Sequence, residues 1–397
     1  MKILYVVKCF APAWGHGGIV RISYDLAAGM AKLGHEVTVY TTDSLDETRI
    51  IKTLSENLNG IQIHRFKNIS NWSAWYLRLC IPPAYCGYFK RNVANFDIVH
   101  FFEFREYLTM VSCFLLKKLH VPYLVSFYGQ LPIGNREPVR RPLKRLFDFI
   151  CGKKILREAD LAVAQTESEV QEYTKKSVPE NRVRFLPIAV NTREIILPAK
   201  GTFRKRNKIP EKEIIIMFLG KIHKYKGVSL LMEAFAQLPD PGNLYKLVIV
   251  GRDEGYLKTA KELSKKLAIG RKVVFAGPLY EQERFSAYMD ADLFVLPALY
   301  KEETSLACLE ACACYTPVIV THNNFVPWLE EYRAGYVVNC NAREISEKMH
   351  GILSNNNLRQ EMSANARKLA EDKFSMDDLI TGMEKCYLEA VKAHEKR

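Results

Sequence analysis

The sequence lacks long apolar runs: no stretch reaches the roughly 18 apolar residues that a transmembrane helix needs. The longest candidate, residues 107–116, is cut short by Lys117 and Lys118. The N-terminal residues 1–8 are too short for a signal-peptide core and have no small-residue cleavage site. We therefore expect a cytoplasmic protein, attached peripherally to the inner face of a membrane if it meets one.

Paired cysteines are also lacking. The 10 cysteines are spread singly, apart from Cys308, Cys312 and Cys314, and these three do not have the Cys-x-x-Cys spacing of a zinc site. The net charge of +13 favours anionic partners such as nucleic acids, anionic membranes or phosphorylated ligands. No Cys/His finger or RNA-binding signature is present, so we expect no nucleic-acid partner.

Apolar runs alternate with helical patterns through both halves of the chain. The strand-like runs cover residues 2–7, 37–41, 98–101, 123–126, 161–164, 214–219, 247–250, 273–275, 293–296 and 318–320. Short apolar strands separated by helices are typical of parallel sheets covered on both faces. This pattern predicts two doubly wound α/β domains, over residues 1–197 and 198–374. A C-terminal helix over residues 375–397 is expected to pack back on the first domain.

Two loops follow predicted strands and precede predicted helices. The first contains Gly17 and Gly18, and glycines at this position let a phosphate approach the helix N-terminus closely. The second begins at Gly220 and contains Lys221 and Lys226, whose two ammonium groups would clamp a diphosphate. The alternatives are a tight turn and a pair of solvated lysines. The spacing is not that of a Walker A loop.

A third segment, residues 297–317, places carboxylates in an otherwise apolar stretch. Glu302 lies in the loop after a strand, where open α/β sheets bind ligands. Thr304 or Ser305 can cap the next helix. Glu310 lies early in that helix and needs a partner, because burying an unpaired carboxylate is costly. That partner is either the hydroxyl pair of a ligand or a set of protein donors.

These segments together resemble the retaining GT-B glycosyltransferases, specifically glycosyltransferase family four. In that family two glutamates with seven residues between them are followed by a small-residue run and Thr-Pro-Val. Glu302 and Glu310 have this spacing, and residues 316–318 read Thr-Pro-Val. The glycine loop at residues 17–21 and the Gly-Lys…Lys-Gly loop at residues 220–227 are similar to the family's other motifs, so the resemblance covers nearly the whole chain.

The resemblance implies a GT-B fold, in which two Rossmann-like domains face a central cleft, and a nucleotide-diphosphate sugar as donor. It implies transfer with retention of the anomeric configuration, without a metal or another cofactor. Glu302, Lys221 and Lys226 would take the catalytic positions. The positions implied for donor binding are Gly17, Gly18, Gly220, Pro278, Leu279, Thr304, Ser305, Leu306, Ala307 and Glu310. Among these, Pro278 and Leu279 would lie near the base, and Glu310 would bind the ribose hydroxyls.

Several positions depart from the family pattern. Lys221 stands where the family usually has Arg, which keeps the charge but loses the bidentate fork. Thr304 and Ser305 replace a Phe-Gly pair. Tyr128, followed by Gly129, stands where many members have a histidine that faces the donor sugar. We place Tyr128 and Gly129 on the acceptor side and assign Tyr128 no part of the histidine's role.

The acceptor is set by the N-terminal domain in this family, and here that domain is basic and aromatic. Residues 136–157 hold eight Lys/Arg and two acidic residues, with an apolar stripe at Leu143, Leu146, Phe147 and Ile150. Upstream, residues 72–91 mix Trp, Tyr and Phe with basic side chains. A basic amphipathic helix of this kind lies on anionic membranes, and the alternative is a packed helix with a solvated basic face. We predict a glycan, polyprenyl-linked or glycolipid acceptor, with an anionic membrane surface as a partner.

Three other functions compete with a glycosyltransferase of polysaccharide or glycolipid biosynthesis. A catalytically silent nucleotide-sugar-binding partner would explain the departures at Tyr128, Thr304 and Ser305. A nucleotide-sugar 2-epimerase shares the GT-B architecture, but the paired glutamates and the Lys-Gly loop argue against it. A dinucleotide-dependent dehydrogenase is disfavoured, because no Gly-x-Gly-x-x-Gly follows the first strand.

Overall fold

The computed structural model describes residues 1–77, 79–133, 140–240 and 242–396. The chain forms two compact units, one comprising Met1–Ile188 with Met376–Arg397 and the other Ala189–Ser375. The sequence places the boundary later, between residues 197 and 198. The structure ties residues near 190 to the second unit, because the Val190 N–H donates to the Phe374 carbonyl at 2.9 Å.

The first unit is built on an eight-stranded sheet with the order β3-β4-β2-β1-β5-β6-β7-β8. All pairs are parallel except the antiparallel edge pair of β3 and β4. The strands are β1 (Lys2–Val6), β2 (Glu36–Thr42), β3 (Ser55–Leu58), β4 (Ile61–Phe66), β5 (Ile98–Phe101), β6 (Tyr123–Val125), β7 (Leu161–Ala164) and β8 (Val183–Phe185).

Helices alternate with these strands. They are α1 (Gly18–Lys32), α2 (Asn71–Tyr76), α3 (Tyr85–Asn92), α4 (Tyr107–Leu119), α5 (Arg141–Phe147), α6 (Lys153–Glu158) and α7 (Glu167–Lys175). A π-helical turn, Asp148–Gly152, joins α5 to α6. The strands β1, β5, β6 and β7 are almost wholly buried, as expected for a sheet covered on both faces.

The second unit repeats this plan with a six-stranded, wholly parallel sheet of order β11-β10-β9-β12-β13-β14. Its strands are β9 (Ile214–Leu219), β10 (Tyr245–Val250), β11 (Val273–Gly277), β12 (Leu293–Leu296), β13 (Val318–Thr321) and β14 (Gly335–Val338). Its helices are α8 (Thr202–Arg206), α9 (Val228–Ala236), α10 (Leu257–Lys266), α11 (Glu283–Asp290), α12 (Leu306–Ala313), α13 (Ala342–Leu353) and α14 (Asn356–Lys373). The prediction of two doubly wound α/β units is confirmed.

The chain ends in a long helix, α15 (Met376–Glu395), that belongs to the first unit. It packs against α1, β5 and β6, and its Tyr387 hydroxyl bonds to His100 of β5 at 2.8 Å and to the Tyr5 hydroxyl at 2.8 Å. A wholly buried polar contact of this kind fixes the position of the helix, since each group would be costly to bury alone.

The structure shows which aromatic and apolar side chains in two basic segments of the first unit are buried and which are exposed. Tyr85 and Phe89 are fully buried in the core, so they are not part of a surface for a partner. In the predicted apolar stripe, Leu143, Leu146 and Ile150 are exposed, whereas Phe147 is half-buried and packs against the core. Arg78 and Arg136, which belong to the two basic segments, lie outside the described residues. No helix in the described parts of the chain is long and apolar enough to cross a bilayer.

Candidate functional site

The predicted donor residues of the second unit gather at the carboxyl ends of its strands. The strand order runs outward from β9 to β11 and then, in the other direction, from β12 to β14, so the reversal lies between β9 and β12. Open α/β sheets bind ligands at such a switch point. Lys221 and Lys226 follow β9, and Glu302 follows β12.

Lys226 and Glu302 are joined directly. The Lys226 Nζ donates to Glu302 Oε2 at 2.6 Å, and the Asn324 Nδ2 donates to the same oxygen at 3.2 Å. Asn324, just after β13, is fully buried. The carboxylate is therefore held in place from two sides, by residues that follow two different strands.

Lys221 is paired with a different carboxylate. Its Nζ lies 3.1 Å from Glu254 Oε1, and Arg252 also contacts Glu254. Burial by itself raises the pKa of Glu254, but the nearby charges of Lys221 and Arg252 outweigh burial and hold the pKa below its usual value. Glu254 is therefore ionised at neutral pH and holds Lys221, after β9, and Arg252, after β10, close together.

Gly227 explains why the loop after β9 lies so close to the segment after β12. Its φ is +75°, and a Cβ at this position would lie 1.8 Å from the carbonyl oxygen of Pro297. Only glycine fits this contact without movement of the backbone. The same residue caps α9 at its N-terminus, so the close approach also sets where that helix begins.

The N-terminus of α12 lies in the same segment. Ser305 occupies the N-cap position but its side chain makes no capping bond, and the Thr304 hydroxyl bonds instead to the Phe325 carbonyl at 3.2 Å. Leu306 and Ala307 form the first turn, whose N–H groups have no acceptor within a helix and carry the positive end of the helix dipole. Such an end is suited to a phosphate.

Glu310, one turn further along α12, has a protein partner that the sequence does not reveal. Arg284 of α11 donates to both carboxylate oxygens, from Nε at 3.0 Å and from a terminal nitrogen at 2.7 Å. The two side chains are only 12% and 10% exposed. A buried bidentate pair of this kind fixes the orientation of the carboxylate. The sequence left two kinds of partner open for Glu310, the hydroxyl pair of a ligand and a set of protein donors. The structure provides a protein donor, Arg284.

Gly220 also lies at this edge of the sheet, directly after β9, and its N–H donates to the Val250 carbonyl at 3.0 Å. Pro278 and Leu279 directly follow β11. The second unit therefore brings all of its predicted donor and catalytic positions to the carboxyl ends of one sheet.

The remaining predicted residues belong to the first unit. Gly17 has a φ of +111° and is the N-cap of α1, which begins at Gly18. Tyr128 has a φ of +46°, a conformation that bulky residues rarely adopt and that is concentrated at functional sites. Its ring stacks on Phe102 with centroids 6.2 Å apart, and the Gly129 N–H donates to Glu169 at 2.7 Å.

An Asp-x-Asp pair, Asp290 and Asp292, lies before β12 at the opposite end of the sheet from these residues. Asp290 accepts from the backbone of Gly201 and Arg204, and Asp292 accepts from the Arg204 guanidinium at 3.1 Å. These carboxylates therefore anchor α8. Over the described ranges, no group of three or more His, Cys, Asp or Glu side chains is arranged to hold a metal ion.

Sequence reasoning missed Arg284, Glu254 and Asn324. Each contacts a predicted residue from a separate element, 22 to 33 positions away in the chain. No local spacing signals such partners, because the sheet brings them together.

Comparison with known proteins agrees with this architecture. Residues 17–189 match a family model described as a glycosyl transferase 4-like domain, and residues 199–369 match the model of the glycosyl transferases group 1. The chain is 24% identical over 394 residues to an uncharacterized glycosyltransferase of Methanocaldococcus jannaschii, covering 96% of each chain. It is 27% identical over 395 residues to a D-inositol 3-phosphate glycosyltransferase of Corynebacterium aurimucosum, covering 94% of this chain and 91% of that one.

Two solved structures have the same fold. One is a sucrose-phosphate synthase from Thermosynechococcus elongatus, with a TM-score of 0.75, 19% identity and coverage of 99% of this chain and 100% of that one. The other is HepE of Anabaena in complex with UDP, with a TM-score of 0.75, 15% identity and coverage of 97% and 99%. The prediction of a GT-B fold is confirmed.

Proposed function

Since the chain belongs to the family-four glycosyltransferases of GT-B fold, we propose that it transfers a sugar from a nucleotide-diphosphate sugar to a glycan or lipid-linked acceptor. The transfer retains the anomeric configuration, needs no metal and serves polysaccharide or glycolipid synthesis. One observation carries the donor part of this proposal. Lys221, Lys226, Glu302 and the first turn of α12 follow the two strands that flank the switch point of one sheet.

These groups match the charge that develops during sugar transfer. When the bond between the sugar and the diphosphate breaks, its electron pair leaves with the diphosphate, and negative charge builds on the phosphate oxygens. The ammonium groups of Lys221 and Lys226 and the N–H groups of Leu306 and Ala307 stabilise that charge without rearranging. This electrostatic role needs no metal ion.

Both lysines are held by carboxylates, Glu254 at 3.1 Å and Glu302 at 2.6 Å. The diphosphate must therefore share each ammonium with a carboxylate. This arrangement keeps the two cations ordered before the donor binds, which lowers the entropy lost on binding. It also keeps Glu302 next to Lys226, so a ligand bound to that ammonium would lie close to the carboxylate.

A donor panel tests the proposal. We would measure thermal stabilisation and slow donor hydrolysis with UDP-, GDP- and ADP-sugars. One donor class should stabilise the protein, and Lys226→Met and Glu310→Ala should each weaken its binding at least tenfold. Lys272→Met is the matched control, since Lys272 forms a 2.8 Å pair with Asp240 in the same unit, before β11.

Stabilisation by no donor, or equal loss in the control, would contradict the donor site. Binding of a donor without its hydrolysis or transfer to any acceptor would instead favour a catalytically silent binding partner.

The acceptor part of the proposal rests on an exposed apolar patch in the first unit, formed by Leu143, Leu146, Phe149 and Ile150. These side chains are 69%, 54%, 78% and 59% exposed. Monomeric soluble proteins rarely expose so many large apolar side chains together, and such patches mark interaction surfaces. The exposed Trp72 and Tyr76 of α2 lie nearby, because Arg140 bonds to the Tyr76 carbonyl at 3.4 Å.

The segment that carries the apolar patch is mainly positive. Its residues 140–157 include Arg140, Arg141, Lys144, Arg145, Lys153, Lys154 and Arg157. The single acidic residue among residues 140–157, Asp148, is held by Arg105 at 2.7 Å and Lys176 at 2.8 Å. Exposed apolar side chains that alternate with cations along one segment suit an anionic bilayer. This supports a lipid-linked acceptor reached at the membrane surface.

Vesicle flotation tests this surface. The protein should float with vesicles containing phosphatidylglycerol more than with neutral vesicles, and Phe149→Ser and Arg145→Gln should each reduce the bound fraction several-fold. Ile196→Ser, at a 74% exposed apolar position of the second unit, should have no effect. Equal recovery with neutral and anionic vesicles, or equal binding of all three variants, would contradict membrane docking.

A further inference from the structure

The second unit contains a cleft of about 880 Å³ that none of the predicted site residues lines. The cleft is lined by residues of α10, of the 3₁₀ turn Gly270–Lys272 and of the edge strand β11, and by residues at the amino ends of β9 and β10. Clefts of about 300–1,000 Å³ are the usual size of small-molecule sites. The charged side chains in the lining are Glu213, Lys246, Lys261, Lys265, Arg271 and Lys272.

The cleft and the predicted donor positions lie at opposite ends of one parallel sheet. Glu213 comes directly before β9, Tyr245 begins β10 and Val273 begins β11, so the cleft borders the amino ends of these strands. Lys221 and Glu302 instead follow the carboxyl ends of β9 and β12. Strands of five or six residues are about 17–20 Å long. One small ligand therefore cannot occupy both places.

Two of the five cations in the cleft are paired with carboxylates. The Lys246 Nζ lies 3.4 Å from Glu213 Oε2 and also donates to the Arg271 carbonyl at 3.2 Å. The Lys272 Nζ lies 2.8 Å from Asp240 Oδ2. The charges of these two lysines are therefore balanced within the protein.

The other three cations have no carboxylate partner among the residues that the structure describes. They are all exposed, and they are Lys261, Lys265 and Arg271. Lys261 and Lys265 are four positions apart on α10, a spacing at which like charges repel and destabilise a helix. The Lys261 Nζ lies 5.8 Å from the centre of the Phe275 ring, in the wall of the cleft. The cleft therefore holds surplus positive charge at a cost in stability that a bound anion would offset.

The surplus charge favours a phosphorylated ligand. A phosphate monoester carries close to two negative charges at neutral pH and has three strong acceptor oxygens, so it can accept from several cations at once. A carboxylate carries one charge and has two oxygens. The planar guanidinium of Arg271 adds a fork of donors that matches two phosphate oxygens.

We propose that Lys261, Lys265 and Arg271 form a second anion site, which binds a small molecule that carries a phosphate monoester. The site is separate from the predicted donor site, and its existence does not depend on the proposed sugar transfer. A purely structural role is the alternative, because Lys265 and Lys266 both lie in the last turn of α10 and complement the negative end of its dipole. That role would involve both lysines equally and would give no preference among ligands.

Ligand-observed saturation-transfer NMR at physiological ionic strength tests the proposal, because salt screens weak non-specific attraction. Glucose, glucuronate and glucose 6-phosphate share one ring and differ at carbon 6. AMP carries a phosphate monoester on a nucleoside, and UDP is the reference ligand for the donor site. Glucose 6-phosphate or AMP should receive saturation from the wild-type protein and bind at least about fivefold more tightly than glucuronate. Which of the two binds more tightly distinguishes a sugar phosphate from a nucleotide as the source of the phosphate.

Two variants and a matched control define the site. Lys265→Gln and Arg271→Gln should each weaken binding of the phosphorylated probe at least about threefold and leave the UDP signal unchanged. Lys266→Gln is the control, because Lys266 is the next residue of α10 and is also exposed but does not line the cleft. It should change neither signal. Without a probe, Lys265→Gln should melt at no lower a temperature than Lys266→Gln, since it removes the repulsion from Lys261.

Absence of saturation for both phosphorylated probes, or binding of glucuronate as strong as theirs, would overturn the proposal. A loss of binding in Lys266→Gln as large as in Lys265→Gln would do the same, and so would a lower melting temperature of Lys265→Gln, which would indicate a structural lysine. Binding of a short oligouridylate but of no small phosphorylated probe would overturn it in favour of a nucleic-acid surface. Absence of a UDP signal in the wild-type protein would count against the nucleotide-sugar donor and not against this cleft.

Discussion

Removing Arg284 should destabilise the second unit, because it leaves the carboxylate of Glu310 buried without its main partner. Arg284 donates two hydrogen bonds to Glu310, at 2.7 and 3.0 Å, and each side chain keeps about a tenth of its surface exposed. Breaking a buried ion pair by removing one partner costs about 3–5 kcal/mol. Since some solvent reaches both groups, we expect Arg284→Met to cost about 3 kcal/mol.

The double variant Arg284→Met/Glu310→Gln separates the cost of the unpaired charge from the loss of packing. An amide needs less solvation than a carboxylate, so the double variant should be more stable than Arg284→Met, by about 1–2 kcal/mol. Arg206→Gln is the control, because its 2.9 Å pair with Glu283 also involves α11 but is more than half exposed. It should cost less than about 1 kcal/mol.

Urea unfolding and thermal melting measure these effects. For a unit of this size, a loss of 3 kcal/mol corresponds to a decrease in Tm of about 6–12 °C. A cost of Arg284→Met no larger than that of Arg206→Gln would contradict the buried ion pair as the source of stability. A double variant as unstable as the single one would show that the loss comes from packing and not from the charge of Glu310.

Two further predictions concern His100 and Gly227. Burial lowers the pKa of His100 to about 3, against about 6.5 in an unfolded chain, so below pH 6.5 only the unfolded chain takes up the proton. The contribution of neutral His100 to the free energy of unfolding is therefore complete above pH 6.5 and should be smaller by about 2 kcal/mol at pH 5. Urea unfolding of His100→Gln at pH 7.5 and 5 should not show this difference. Gly227→Ala would place a Cβ 1.8 Å from the Pro297 carbonyl oxygen at a φ of +75°. It should therefore lower the free energy of unfolding by at least about 1 kcal/mol and weaken donor binding. A melting temperature and a donor affinity equal to those of the wild-type protein would contradict the close contact.

Most of the strands that the sequence predicts have side chains buried on both faces, and the exception is the half-buried edge strand β11, which is apolar. All ten predicted apolar runs form strands, namely β1, β2, β5, β6, β7 and β9 to β13, because short continuous apolar runs are typical of strands in a covered parallel sheet. The four missed strands, β3, β4, β8 and β14, lie at or near the sheet edges. The edge strand β3, Ser55–Leu58, has one open side and carries polar residues, so no apolar run reveals it.

The candidate site shows the same division. The spacing of Glu302 and Glu310 and the loop of Lys221 and Lys226 are local patterns, and they could be predicted. Their partners could not, because Arg284, Glu254 and Asn324 come from other elements and carry no motif.

The sequence also did not determine whether the apolar patch is exposed or covered. Leu143, Leu146 and Ile150 have helical spacing in either case, and only the packing of the first unit decides whether a neighbouring element covers them.

By itself the sequence determined the two α/β units, the long C-terminal helix and the positions of the glycines, lysines and glutamates of the donor site. These features depend on local periodicity and on spacing within one loop and helix, which are properties of the chain before it folds. The tertiary structure alone decided which charges meet. Lys8 and Glu106 are 98 residues apart, and Lys226 and Glu302 are 76 apart. Such pairs form because parallel strands bring their carboxyl ends to one edge of a sheet, where the strand order reverses.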